Sequence, residues 1–188
     1  KRQEEGLLER SDLVLYVNRK LMNEDSGPKE RKYYLGHGVD YDHFSGAVFP
    51  RRNVHEDLKN LRRPVIGFFG AINDYTVDIG LLEKAARNLE DFTFVLVGLS
   101  TVDISHITGL ENVHYFGFKP YSEIPFYGAG FDAAIMPWLD NEWIAYCNPI
   151  KLKEYLALGL AIVTTWIPQV EEFGDVLYIA DNEDDFIK

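Results

Sequence analysis

The residues best suited to chemistry stand together in Asn148-Pro149-Ile150-Lys151-Leu152-Lys153-Glu154-Tyr155-Leu156-Ala157-Leu158-Gly159. Two lysines and a carboxylate fall within four positions. Lys151 and Glu154 are three apart, so on a helix they share a face. Lysines in a first helical turn conflict with the helix dipole, whose N-terminal end is already positive. An anionic ligand resolves the conflict, because free backbone N–H groups over 149–151 and a neighbouring ammonium make a phosphate site that both lysines would face. Glu154 would then accept hydrogen bonds from the hydroxyls of whatever carries the phosphate. The plainer alternative is a capped helix that buries Leu152, Tyr155 and Leu156 and wears Lys151 and Glu154 as a solvated ion pair of little energetic worth.

The helix itself is well signalled. Asn148 is a good N-cap, Pro149 suits the first helical position, and Gly159 can take the left-handed conformation that closes a helix. Around it lies a chain of 188 residues, 46% hydrophobic and 26% charged, long enough for one domain with a sizeable core and part of another. The net charge of −11 argues against a nucleic-acid partner but allows a single nucleotide held by local dipoles. A single cysteine, Cys147, precludes an internal disulfide framework and agrees with a reducing cytosol. No stretch of eighteen apolar residues predicts a membrane span. His37, His43, His55, His106 and His114 are too scattered to suggest a metal site.

The elements that must position the helix follow from periodicity. Helix signals over Glu4 to Arg10, a strand at Leu13–Val17, a helix capped by Asn18, and a strand from Lys32 to Leu35 read as the tail of a preceding domain. No period persists from Asp42 to Arg63 apart from a short helix near Glu56 to Leu61, so residues 1–63 are tail and linker and 64–188 form a second domain cut at its C-terminus. Strands are predicted at Val65–Phe69, Thr93–Val97, Val113–Phe116, Ala133–Met136, Ala161–Thr164 and Leu177–Ile179. Helices are predicted at Val77–Leu89, Ile104–Ile107, Ser122–Tyr127, the helix above, and Val170–Phe173. Apolar strands alternating with helices mean a doubly wound parallel α/β sheet, Rossmann-like in plan.

Ligands of such sheets bind beyond the carboxyl ends of the strands. The residues there are Gly70-Ala71-Ile72-Asn73, Gly98-Leu99-Ser100, Gly117-Phe118-Lys119-Pro120, Pro137-Trp138 and Thr164-Thr165. Three begin with glycine, which lets backbone approach a ligand closely. The dinucleotide fingerprint, a Walker loop and a G-x-S-x-G elbow are all absent, which excludes ordinary hydride-transfer, NTPase and serine-hydrolase readings. A nucleoside diphosphate suits what remains: N–H dipoles for the diphosphate, a carboxylate for the ribose diol, a backbone edge for the base.

These residues resemble the C-terminal, donor-binding half of GT-B fold glycosyltransferases, in particular the retaining group 1 or family 4 type. Ser11 to Asn18 resembles that family's last N-domain strand, and Gly36-His37-Gly38-Val39-Asp40 its linker signature. Val65-Ile66-Gly67-Phe68-Phe69-Gly70 is similar to the first strand of its C-domain, Val113 to Phe118 with Tyr121 to its base-holding segment, and Pro149 to Gly159 to its strongest motif. The resemblance implies that Glu154 binds the ribose hydroxyls and the backbone at Pro149 and Ile150, beside Asn148, holds the diphosphate. Gly70, Ala71 and Gly98 would approach the phosphates from the sheet edge, while Phe118 and Tyr121 frame the base. It implies no cofactor and no metal, a UDP- or GDP-linked sugar as substrate, and a glycan or lipid-linked acceptor bound by a domain upstream, in polysaccharide biosynthesis.

Two departures bear on catalysis. The family's second Glu, eight residues before the ribose carboxylate, is Tyr146 here, with Glu142 out of register. The first-strand loop carries Asn73 and Asp74 where the family often has Arg and Lys, which makes Lys151 the candidate catalytic cation. A catalytically inactive GT-B-like nucleotide-binding or interaction module is the alternative from another class, and an epimerase of the same fold a third with no visible acid–base pair. The loop Trp138-Leu139-Asp140-Asn141-Glu142-Trp143 faces either the sugar or the acceptor, or packs against a lost domain. A cytoplasmic location is expected, or a peripheral one at the inner membrane face through other segments.

Overall fold

In a computed structural model, described for residues 2–188, the chain opens with helix α1 (Arg2–Arg10), strand β1 (Val14–Tyr16), helix α2 (Arg19–Glu24) and strand β2 (Lys32–Tyr34). β1 and β2 pair in parallel, Val14 opposite Lys32. Asn18 is buried and its Oδ1 accepts from the N–H groups of Lys20 and Leu21, which starts α2 as its cap chemistry predicts. Lys32 closes the crossover by pairing with Asp25 at 3.4 Å.

A short helix, α3 (Tyr41–Ser45), then forms in the stretch where no period persists. Five residues are too few for a 3.6-residue repeat to show, and the visible signal was only Asp40, whose carboxylate accepts from His43 N–H. Behind it Phe44, Ala47, Val48 and Leu58 are buried in the same cluster as Phe69, Leu152 and Tyr155, so this segment packs onto the sheet that follows.

That sheet is built from β3 (Val65–Phe69), α4 (Ile79–Asn88), β4 (Thr93–Val97), α5 (Ser105–Thr108), β5 (Val113–Tyr115), α6 (Ile124–Gly128), β6 (Ala133–Met136), α7 (Glu142–Ala145), α8 (Ile150–Ala157), β7 (Ala161–Thr165), β8 (Tyr178–Ala180) and α9 (Glu183–Ile187). All six strands are parallel, in the order β5-β4-β3-β6-β7-β8. α4, α5 and α9 bury Leu81, Leu82, Ala85, Ile107 and Phe186 on one face; α3, α6 and α8 bury Phe44, Tyr127, Leu152 and Tyr155 on the other. The doubly wound sheet expected from the alternation is therefore present. Differences are local: 3₁₀ turns replace α-helix at Tyr121–Glu123 and Pro168–Phe173, and the four-residue α7 escapes periodicity altogether.

β3 is the pivot of this order. From it the chain winds one way through β4 and β5, then returns to β6 on its other side and winds the opposite way. The two runs part between the carboxyl ends of β3 and β6, the crevice in which open α/β sheets bind ligands. α8 is tied to it by Tyr155, which is fully buried, packs its ring tilted against that of Phe69 with centroids 4.5 Å apart, and accepts a hydrogen bond at 3.0 Å from Phe69 N–H. Tyr155→Phe is expected to leave that N–H unpaired and lower stability by about 1–3 kcal/mol. A urea melt of the two proteins checks it, equal midpoints counting against this role for the hydroxyl.

Candidate anion-binding site

The floor of the crevice is made of backbone. Gly70, Gly98 and Gly117 follow β3, β4 and β5 and all have positive φ, at 133°, 140° and 65°. Gly70 N–H donates to Val97 O at 2.8 Å and Gly98 N–H to Gly117 O at 2.7 Å, so the three strand ends are laced together. A Cβ on Gly98 would collide with the Gly70 carbonyl, and one on Gly70 would lie 2.5 Å from Lys151 Nζ. Tyr115 fixes the next turn, its hydroxyl donating to Gly98 O at 2.9 Å and accepting from Ser100 N–H at 3.1 Å.

α8 points its N-terminus at this floor, and its first turn differs from expectation. Asn148 does not cap it: the side-chain amide turns the other way and donates to Val17 O at 2.6 Å and Tyr34 Oη at 3.4 Å. The carbonyl at the end of β1 offers a direct acceptor, and Pro149 takes the cap position with no side-chain hydrogen bond. Since proline has no N–H, the free donors are those of Ile150, Lys151 and Leu152, one residue later than 149–151. Among the described residues none of the three has an acceptor.

Lys151 reaches from that turn into the crevice. Its Nζ lies 3.8 Å from the centroid of the Phe68 ring and 4.9 Å from that of Trp138. Among the described residues it has no hydrogen-bond acceptor and no carboxylate within 4.0 Å. Lys151 is partly buried, and this burial pushes its pKa down to about 7, with Glu154 opposing the shift. Cation–π contact offsets only part of the lost hydration. Beside it the Trp138 indole N–H is buried with no partner. The Lys151 ammonium and the N–H groups of Ile150, Lys151 and Leu152 thus lie at the start of α8 without a hydrogen-bond acceptor among the described residues.

Glu154 stands one turn further on. It is half-buried, which raises its pKa, while Lys151, Tyr121 and His43 pull in the other direction. Tyr121 Oη donates to its Oε1 at 3.5 Å. Tyr121 is held in turn by His43 of α3, stacked at 4.8 Å with Nε2 3.2 Å from the Tyr121 carbonyl. Phe118 is exposed beyond Gly117 and Ala71 beyond Gly70, both on the rim. Gly70, Gly98, Lys151, Ile150, Glu154 and Tyr121 thus share one edge, whereas Asn148 serves the junction with β1. Lys153 does not face the crevice, because its Nζ donates to the His37 carbonyl and clasps the linker.

The two departures have structural explanations. Buried Asn73 gathers its own loop, its Oδ1 accepting from Thr76 N–H at 2.9 Å and Thr76 Oγ1 at 2.7 Å. Tyr146 donates to Glu24 at 2.7 Å and carries Lys20 over its ring, so it binds α2. Among the described residues no group of His, Cys, Asp and Glu gathers that could hold a metal, and no helix is long and apolar enough to cross a membrane.

Residues 63–188 match the family model for glycosyl transferases group 1, two thirds of the chain. The chain belongs to the group 1 glycosyl transferases. A curated relative of this group 1 glycosyl transferase is TuaH of Bacillus subtilis (strain 168), described as a teichuronic acid biosynthesis glycosyltransferase, 26% identical over 175 residues. The match covers 88% of this chain and 43% of TuaH, so the chain spans less than half the length of that relative. Sucrose-phosphate synthase from Thermosynechococcus elongatus superposes with a TM-score of 0.71 at 14% identity, covering 98% of this chain and 49% of that one. Anabaena Alr3699/HepE, solved with UDP and glucose, gives 0.64 at 17%, covering 86% and 46%. At such identities these structures establish the shared fold.

Several residues of this group 1 glycosyl transferase site were not legible as such. Trp138 stood out as a strand-end residue, without the indole contact to Lys151. Phe68 reads as an ordinary core residue, and His43 carries no local signal because its partner Tyr121 is 78 positions away.

Proposed function

We propose that this chain is the donor-binding half of a glycosyltransferase that holds a nucleoside-diphosphate sugar, UDP- or GDP-linked, at the carboxyl edge of β3. The supporting observation is the partly buried Lys151 ammonium, without an acceptor among the described residues, beside the free N–H groups of Ile150, Lys151 and Leu152. A diphosphate supplies the charge that this arrangement lacks. Glu154 then accepts from the ribose hydroxyls, Phe118 and Tyr121 frame the base, and Gly70, Ala71 and Gly98 let the phosphates approach backbone. Pro149 shapes the turn without donating.

In the transfer step the bond from the anomeric carbon to the diphosphate oxygen breaks, and its electron pair stays on the departing nucleotide. The growing negative charge falls on donors that are already oriented, the electrostatic mechanism that lowers such barriers most. Lys151 supplies the positive charge, in keeping with a retaining reaction that needs no metal. The acceptor, a glycan or lipid-linked saccharide, belongs to the part of the protein outside this chain. TuaH's description suits a role in polysaccharide biosynthesis, and we place the protein in the cytoplasm or at the inner membrane face.

Calorimetric titration with UDP and GDP tests the reading. One of the two should bind, and Glu154→Ala should weaken it on the order of tenfold or more, the worth of hydrogen bonds to a charged acceptor. Unchanged affinity in the variant removes the ribose assignment. A non-catalytic nucleotide-binding or interaction module is the second reading, favoured by Tyr146, whose hydroxyl is committed to Glu24. Sugar transfer from a labelled donor by the longer protein would exclude it.

A further inference from the structure

We infer that Asp57, in the linker turn before β3, is a positioning residue for the nucleotide base: through Lys119 it fixes the loop from Gly117 to Tyr121. This deepens the proposed function and rests on it.

That loop has firm ends and a bare middle. Gly117 O accepts from Gly98 N–H at 2.7 Å, and Glu123 N–H donates to Pro120 O at 2.9 Å. Tyr121 is held by His43, whose Nε2 lies 3.2 Å from the Tyr121 carbonyl. Between these points, among the described residues, the backbone N–H and C=O groups of Phe118 and Lys119 have no partner, and the Phe118 side chain is exposed. Free backbone groups of that kind suit the hydrogen-bonding edge of a base, with the Phe118 ring beside them. Backbone that is loose before binding has to be ordered by it, which weakens recognition. One side chain supplies the missing restraint. Lys119 leaves the loop and places its Nζ 3.4 Å from Asp57 Oδ2.

Asp57 is itself firmly held. It sits in a 3₁₀ turn (Glu56–Leu58) that is fastened to α6, since His55 N–H donates to Phe126 O at 3.0 Å and Leu58 is buried. Asp57 N–H donates to His55 Nδ1 at 3.3 Å. The hydroxyl of Tyr127, a fully buried residue of α6, donates to the same Oδ2 that meets Lys119, and the His55 ring stacks on Tyr127 with centroids 4.1 Å apart. The Tyr127 hydroxyl first, then His55 and Lys119, hold the Asp57 carboxyl below the usual carboxylate range against the effect of burial. The Lys119 and Asp57 side chains are only 23% and 34% exposed, so their attraction is screened less than that of a surface pair. Tyr127 and His55 keep Asp57 in place without help from Lys119. The lysine contact therefore acts on the loop, not on the linker.

Asp57→Asn keeps the shape and an acceptor for Tyr127 but removes the charge that holds Lys119. UDP, GDP and pyrophosphate, which has no base, are titrated calorimetrically into the wild type, Asp57→Asn, Lys119→Met and the double variant. The nucleotide that binds the wild type should lose about tenfold in affinity in Asp57→Asn, the scale of ordering one or two residues, while pyrophosphate loses nothing. Lys119→Met should lose as much and the double variant no more, because both act through one contact. Asp57→Glu should recover part of the loss. In the free protein, ¹⁵N relaxation should show lower order parameters at Phe118 and Lys119 in Asp57→Asn, with Gly98 unchanged. Equal losses for nucleotide and pyrophosphate would make Asp57 a purely structural residue and overturn the inference. Additive losses in the double variant, or unchanged nucleotide affinity in Asp57→Asn, overturn it as well. A wild type that binds neither nucleotide overturns the proposed function and this inference with it, so the two failures are read on different proteins.

Discussion

Lys151→Met is expected to weaken UDP binding by roughly a hundredfold, about 3 kcal/mol, while leaving the free protein as stable as before or more so. The two effects have one cause. In the free protein the ammonium lies between Phe68 and Trp138 without a counter-charge, an arrangement that costs stability. Methionine fills a similar space and suits those aromatic faces. Only the bound diphosphate makes the charge worth holding. The same reasoning fixes the pH dependence. Between about 7 and the ordinary value of 10.5 the unfolded chain keeps the lysine proton and the folded chain releases it, so stability of the free protein rises with pH over that window. Binding an anion favours the protonated form, so UDP affinity should fall as pH rises above 7, approaching tenfold per unit. Lys151→Met should flatten both profiles; thermal melts and titrations at pH 7, 8 and 9 show whether it does.

Gly98→Ala is expected to be the most damaging single methyl addition at the site, at about 3 kcal/mol or more. Two costs coincide there. The backbone has φ of 140°, open in practice to glycine alone, and the new carbon would strike the Gly70 carbonyl. Backbone cannot swing aside as a side chain does, so β3 and β4 would have to separate where Gly70 N–H bonds to Val97 O. By contrast Gly117→Ala has positive φ but open space around it, and should cost only the conformational strain. Denaturant melts of the two variants should differ clearly; similar losses would mean that contact with Gly70 matters little.

The sheet was legible because its strands are short apolar runs separated by helices of ordinary length, and that alternation admits few topologies. Gly70 and Gly98 could be singled out from their places after β3 and β4, and Lys151 with Glu154 from spacing on one helix. The cap was misread because Asn148 has two uses for its amide, and only the fold brings the end of β1 close enough to take it. Lys153 was read with Lys151 for the same reason: sequence gives the helix face but not the His37 carbonyl waiting beside it. α3 and α7 are too short for a period to show. The aromatic setting of Lys151 depends on Phe68 in β3 and Trp138 just after β6, which are far apart in sequence and meet only in the fold.

The central claim is that the α8 N-terminus with Lys151 holds a diphosphate, and comparing UDP with uridine by calorimetry, in the wild type and in Lys151→Met, tests it most directly. UDP should bind the wild type about a hundredfold or more tighter than uridine, and the variant should lose most of that difference. Equal affinities in the wild type, or an undiminished preference for UDP in the variant, would contradict it.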